Sequence, residues 1–117
     1  MATILIVEDE NQVRVFAESY LRRQGYRTIS AATVEEALTL IDAVDGVDVL
    51  FSEIKLNNDE LAGVRLGRQA AARRPGMKIV YAAEHEATDG LKTLLVAPAA
   101  VLSKPYGVGD LKNALAM

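Results

Sequence analysis

Five short apolar runs, Thr3–Val7, Tyr26–Ser30, Val47–Phe51, Lys78–Ala82 and Ala100–Ser103, alternate with five segments whose apolar residues recur at helical spacing. No other feature constrains the fold as much. The runs are rich in Ile, Val and Leu and nearly continuous in apolar character, so they read as strands buried on both faces. Between them, Val13, Phe16, Ala17, Tyr20 and Leu21 mark a first helix that Gly25 stops. Val34, Ala37, Leu38 and Ile41 mark a second helix, opened by the capping box Thr33-x-x-Glu36. A polar loop spans Ser52–Glu60, with two asparagines, and a third helix follows over Leu61–Arg73, closed by Pro75-Gly76. Leu91, Leu94 and Leu95 mark a short fourth helix limited by Pro98; Val108, Leu111 and Leu115 mark the fifth. Strands alternating with helices predict an α/β domain with a parallel sheet. With 117 residues the chain is too short for a (β/α) barrel, so one open, doubly wound domain over residues 1–117 is expected.

Composition removes several classes of function. The chain has no cysteine, one histidine and a net charge of −3. Disulfides, thiolate zinc sites and cysteine nucleophiles are excluded, and a histidine triad or histidine-based metal centre has too few members. Lys and Arg do not cluster beyond Arg73-Arg74, which argues against nucleic-acid binding. No apolar run approaches the roughly 18–20 residues of a spanning helix. The first apolar run lacks a basic leader and turns acidic at Glu8, unlike a signal peptide, so a cytoplasmic protein away from the membrane is expected. The sequence stops with the fifth helix, and no output domain is expected.

In an open parallel sheet, chemistry gathers beyond the carboxyl ends of the strands, where strand order reverses. Glu8, Asp9 and Glu10 follow the first strand, Ser52 and Glu53 the third, Ala82 and Ala83 the fourth, and Ser103, Lys104 and Pro105 the fifth. In the order 2-1-3-4-5 the first and third strands are neighbours, which brings Glu8, Asp9 and Glu53 into one crevice with Lys104 approaching. Three carboxylates together need a cation or a proton. Oxygen ligands suit Mg²⁺, and Lys104 offers a point charge. Other residues have plainer roles. Asp48 caps the start of the third strand, and Ser52 alternates to the opposite face from Glu53. His85 is a solvated loop residue, and Arg73 and Arg74 answer their own helix dipole. Gly107-Val108-Gly109 opens the last helix instead of cradling a phosphate, and Tyr106 packs on the surface.

The segments Ile4-Leu5-Ile6-Val7-Glu8-Asp9-Glu10, Val47-Asp48-Val49-Leu50-Phe51-Ser52-Glu53-Ile54, Lys78-Ile79-Val80-Tyr81-Ala82-Ala83 and Leu102-Ser103-Lys104-Pro105 resemble the response-regulator receiver domains of two-component signalling. The resemblance covers essentially the whole chain, and Lys104-Pro105 is its most specific piece. It implies the flavodoxin-like (βα)5 receiver fold with strand order 2-1-3-4-5. It also implies a metal site for Mg²⁺ made by Glu8, Asp9, the side chain at 53 and the backbone carbonyl of Lys55. Residue 53 takes the phosphoacceptor position, residue 82 the Thr/Ser position that binds phosphoryl oxygens, and Lys104 the paired lysine, with Pro105 as a cis-proline. Implied partners are a sensor histidine kinase or phosphotransfer protein, or a downstream protein docking on the face of the fourth helix, fifth strand and fifth helix.

The chain departs from that pattern at the chemistry. The acceptor position holds Glu53, the hydroxyl position holds Ala82, the switch aromatic is Val101, and the usual proline after the acceptor is Asn57. Glutamate carries its carboxylate roughly 1.5 Å further out, and about 1 Å of misplacement can cost on the order of 100-fold in an in-line transfer. The expectation is a stand-alone or pseudo-receiver, not an enzyme, with weak Mg²⁺ binding at most, signalling by protein–protein contact. The alternative is a conventional phosphorelay receiver with an engineered Asp→Glu mimic at 53. Ala82 and Val101 favour the natural origin, because a designer has no reason to change all three. A flavodoxin-like small-ligand binder lacks a phosphate loop, and a haloacid-dehalogenase-type phosphatase would need an aspartate where Asn11 stands.

Overall fold

The computed structural model describes residues 2–84, 88–95, 99–104 and 106–116. The elements run β1 (Thr3–Val7), α1 (Asn11–Arg23), β2 (Arg27–Ala31), α2 (Val34–Ala43), β3 (Val49–Glu53), α3 (Ala62–Arg73), β4 (Lys78–Ala83), α4 (Asp89–Leu94), β5 (Ala99–Ser103) and α5 (Val108–Ala116). His85, Pro98 and Pro105, with the expectations attached to them, lie outside the described residues.

Period-two alternation along the strands splits the core into two layers. Leu5, Val7, Leu50, Ile79 and Tyr81 face one side and pack with Ala37 and Ile41 of α2 and Val64, Leu66 and Ala70 of α3. Ile4, Ile6, Val49, Phe51, Val80 and Leu102 face the other side and pack with Leu21 of α1 and Leu111 and Ala114 of α5. All pairings are parallel and the order is β2-β1-β3-β4-β5, the doubly wound order expected. The ends of β1 and β3 therefore lie side by side. Among the described residues no helix is long and apolar enough to cross a membrane.

Strand β3 sits two residues further along than its apolar run suggests. The ladder to β4 continues through Ser52↔Tyr81 and Glu53↔Ala82, and Ile54 N–H still donates to the Ala82 carbonyl at 3.0 Å. Backbone pairing holds these polar residues in the strand, so Glu53 is its last residue instead of the first of a loop. Ser52 points to the α2–α3 side, buried, its hydroxyl donating to the Glu53 carbonyl at 2.9 Å. Asp48 caps, as expected, but across strands: its Oδ2 accepts from Thr3 N–H of β1 at 2.8 Å.

Three local expectations change. The Thr33 hydroxyl caps Glu36 N–H at 3.1 Å, while Glu36 Oε2 accepts from Ala32 N–H at 3.1 Å, one residue earlier than the reciprocal bond of a capping box. Arg73 and Arg74 serve α2 instead of their own helix. Arg73 Nη1 lies 3.2 Å from Asp42 Oδ2, and Arg74 Nη2 donates to the Ile41 carbonyl at 2.8 Å. Because α2 and α3 lie side by side, these long side chains reach the neighbour's open carbonyl end. Tyr106 is half-buried instead of lying on the surface: it meets Phe51 edge-on, with ring centroids 6.1 Å apart at 67°, against the α1–α5 layer. The start of α5 carries its own anion, since Gly107 N–H donates to Asp110 Oδ2 at 2.9 Å, in keeping with a plain helix start at Gly107.

Candidate functional site

Strand β1 ends in the peptide of Glu8, whose N–H is fixed to the Ala31 carbonyl of β2 at 3.1 Å. The Glu8 side chain lies at the sheet end, where it is 6 % exposed, beside Glu53 at 9 %. Lys104 arrives from β5, its own N–H held by the Ala83 carbonyl at 2.8 Å. Lys104 Nζ lies 2.6 Å from Glu53 Oε1 and 3.8 Å from Glu8 Oε1. The longer glutamate side chain thus closes the gap to the lysine directly. Ala82 sits opposite Glu53 in the ladder, buried, with a methyl where a hydroxyl would face the site.

Two nearly buried carboxylates cannot both stay ionised cheaply at this separation. Burial, the hydrogen bond with Glu53 and the Glu53 charge push the Glu8 carboxyl up to about 8, against the pull of Glu10 N–H, which donates to Glu8 Oε2 at 3.1 Å. Glu8 therefore carries a proton at neutral pH. Burial disfavours charge on Lys104, but its hydrogen bond to Glu53 and the fields of Glu53 and Glu8 outweigh this and raise its pKa. Asp9 also overcomes its partial burial: bonds from Glu8 and from the Asn57 N–H hold its carboxyl below the ordinary value. Burial and the neighbouring carboxylates raise the Tyr106 phenol.

The loop after β3 supplies a contact that residue types alone did not reveal. Leu56 and Asp59 exchange backbone hydrogen bonds at 3.1 and 2.9 Å, and Asn57 and Asn58 between them have φ of 51° and 66°. Two residues in the left-handed region make this a tight turn of the kind asparagine tolerates best. The turn aims Asn57 N–H at Asp9 Oδ2, 3.0 Å away. A proline has no N–H to offer, so the departure at 57 was the signal. Lys55 lines the same cleft, its Nζ 3.6 Å from Glu60 Oε1. The cleft above these groups measures about 950 Å³ and is walled on one side by Ala82, Ala83 and Leu91.

Glu8, Asp9, Glu53 and the Lys55 carbonyl form the oxygen-only donor set that Mg²⁺ prefers, but their side chains are not gathered around one point. Among the described residues, no three acidic or histidine side chains gather at metal-binding geometry. Two of the expected ligands make other contacts: Glu53 pairs with Lys104, and Asp9 accepts from the Asn57 N–H.

A receiver-domain model of the response-regulator family matches residues 4–116. The chain belongs to the response-regulator receiver family. It is 33 % identical over 116 residues to the KDP operon transcriptional regulatory protein KdpE of Escherichia coli (strain K12), covering 98 % of this chain and 50 % of that protein. It is 32 % identical over 113 residues to the sensor kinase CckA of Brucella abortus (strain 2308), covering 94 % of this chain and 12 % of the kinase. It is also 30 % identical over 115 residues to the response regulator receiver protein CpdR of the same strain, covering 97 % and 92 %. The chain thus spans half or less of two of these relatives and nearly all of the third. Among solved structures, a CheY-like receiver domain from Methanospirillum hungatei superposes with a TM-score of 0.86 at 29 % identity, covering 99 % of this chain and 91 % of that one. The receiver TrrA of Thermotoga maritima, solved with Mg²⁺ and BeF, superposes at 0.83 with 20 % identity, covering 99 % and 97 %.

Proposed function

We propose that this receiver signals by protein–protein contact from a single, internally neutralised state and accepts no phosphoryl group. The observation that carries the reading is the 2.6 Å pair between Lys104 Nζ and Glu53 Oε1. It joins the lysine that would steady a phosphoryl oxygen to the residue at the acceptor position. The methyl of Ala82 supports the same reading, since it presents no donor to an incoming phosphoryl group. Mg²⁺ has to displace the Glu8 proton and compete with Lys104, so its binding is weak.

The partners in this reading are a histidine kinase or phosphotransfer protein, or a downstream cytoplasmic protein that docks on α4, β5 and α5. Val101 cannot rotate as the switch aromatic does and packs toward the α2–α3 layer, so this face stays in one form. Incubation with acetyl phosphate and Mg²⁺ followed by intact mass measurement tests the proposal. No added phosphoryl mass is expected. A single phosphoryl addition would establish a conventional phosphorelay receiver instead.

A further inference from the structure

Helix α4 has little with which to hold itself in place. It has six residues, Asp89–Leu94, and none is buried. A helix of this length is unstable alone and depends on what it touches. The Thr88 hydroxyl caps its start by accepting from Leu91 N–H at 3.1 Å, and Leu91 and Leu95 pack against the α2–α3 layer. Its far end is held from another helix. Arg68 of α3 donates from both Nε and Nη2 to the Leu94 carbonyl, at 3.1 and 3.0 Å. That carbonyl belongs to the open, negative end of α4, where a cation with two fixed donors is well matched.

Arg68 reaches across from a helix seated closely on the sheet. Two glycines let α3 sit directly on the sheet. A Cβ at Gly63 would overlap the Glu53 carbonyl oxygen, and a Cβ at Gly67 would overlap the hydroxyl of Tyr81. Tyr81 is fully buried and lies in register with Val101 of β5. Arg68 follows Gly67 directly, so the root of its side chain is fixed against β4 while its guanidinium grips α4.

We propose that Arg68 is the positioning residue of the α4 docking face, a strut from α3 that sets where the C-terminal end of α4 lies. The proposal rests on the reading of that face as the partner surface. It assigns to α3 the placement that the hydroxyl–aromatic pair would otherwise control.

The test uses the labelled full chain as wild type, Arg68→Ala, Arg68→Lys and Glu53→Gln, followed by NMR. The readouts are the Leu94 carbonyl ¹³C shift and amide exchange at residues 89–95, compared with β1 and α1. Arg68→Ala is expected to speed exchange at 89–95 about tenfold, to move the Leu94 carbonyl upfield, and to leave β1 and α1 unchanged. Arg68→Lys is expected to recover part of both effects, because an ammonium can still donate to that carbonyl. An unchanged Leu94 carbonyl in Arg68→Ala, or exchange that rises equally everywhere, would overturn the strut. Shifts that reach 89–95 in Glu53→Gln, with Arg68→Ala behaving as expected, would overturn the single-state reading of the face and leave the strut supported.

Discussion

Replacing Lys104 with methionine keeps most of the stem and removes the ammonium, leaving Glu53, 9 % exposed, without its partner at 2.6 Å. Breaking a fully buried pair costs about 3–5 kcal/mol, and a charge-assisted hydrogen bond contributes about 1.5–3 kcal/mol. Here the Lys104 side chain is 34 % exposed, so water reaches one side and reduces the loss. Lys104→Met is expected to cost about 2 kcal/mol at neutral pH. Glu53→Gln removes the other charge, so Lys104→Met should cost much less in that background. The assay is urea unfolding of the wild type, both single variants and the double. The interaction energy should be about 1 kcal/mol or more, above the roughly 0.3–0.5 kcal/mol within which independent sites add. Equal costs of Lys104→Met in both backgrounds would refute the pair as the element that neutralises the site.

Glu8 holds its proton in the fold up to about pH 8 against an ordinary value of 4.5, so its contribution to stability is fully present below 4.5 and is lost as pH rises through 8. Unfolding measured from pH 4.5 to 8.5 should show that decline in the wild type and a flatter profile in Glu8→Gln; Mg²⁺ titration by NMR should tighten over the same range. Glu53→Asp alone is expected to take phosphoryl from acetyl phosphate slowly, and Glu53→Asp with Ala82→Thr faster, because both groups act on the same oxygens; a single variant as fast as the double would show that Ala82 is not limiting. Tyr81→Phe removes a buried hydroxyl that has no hydrogen-bond partner among the described residues and should stabilise the protein by about 1 kcal/mol in thermal melts. Gly67→Ala should destabilise it, and less so in the Tyr81→Phe background.

The fold was legible because strand burial leaves a direct trace in residue type: Thr3–Val7 is placed to the residue, and the two layers follow from alternation alone. The end of β3 was less legible, because Ser52 and Glu53 are polar and only their ladder to β4 makes them strand. Glu8, Asp9, Glu53 and Lys104 do converge at one end of the sheet. Their protonation was not readable, since it depends on burial and on separations of a few ångströms. The Arg74 grip on α2, the Arg68 grip on α4 and the Tyr106–Phe51 contact were hidden for a related reason. Each joins residues distant in the chain, and a long or amphipathic side chain gives no hint of which neighbour it will meet.

The turn at Asn57 and Asn58 bears on how such a domain could change over generations. Proline is fixed near −65°, whereas Asn57 stands at φ 51°, so proline at this position demands that the whole turn be rebuilt. Its arrival would also strip Asp9 of the N–H it now accepts. A chain with this loop therefore cannot accept proline at 57 by that one substitution alone. Positions 53 and 82 make no such demand on backbone conformation, so substitutions there leave the turn and its bond to Asp9 in place.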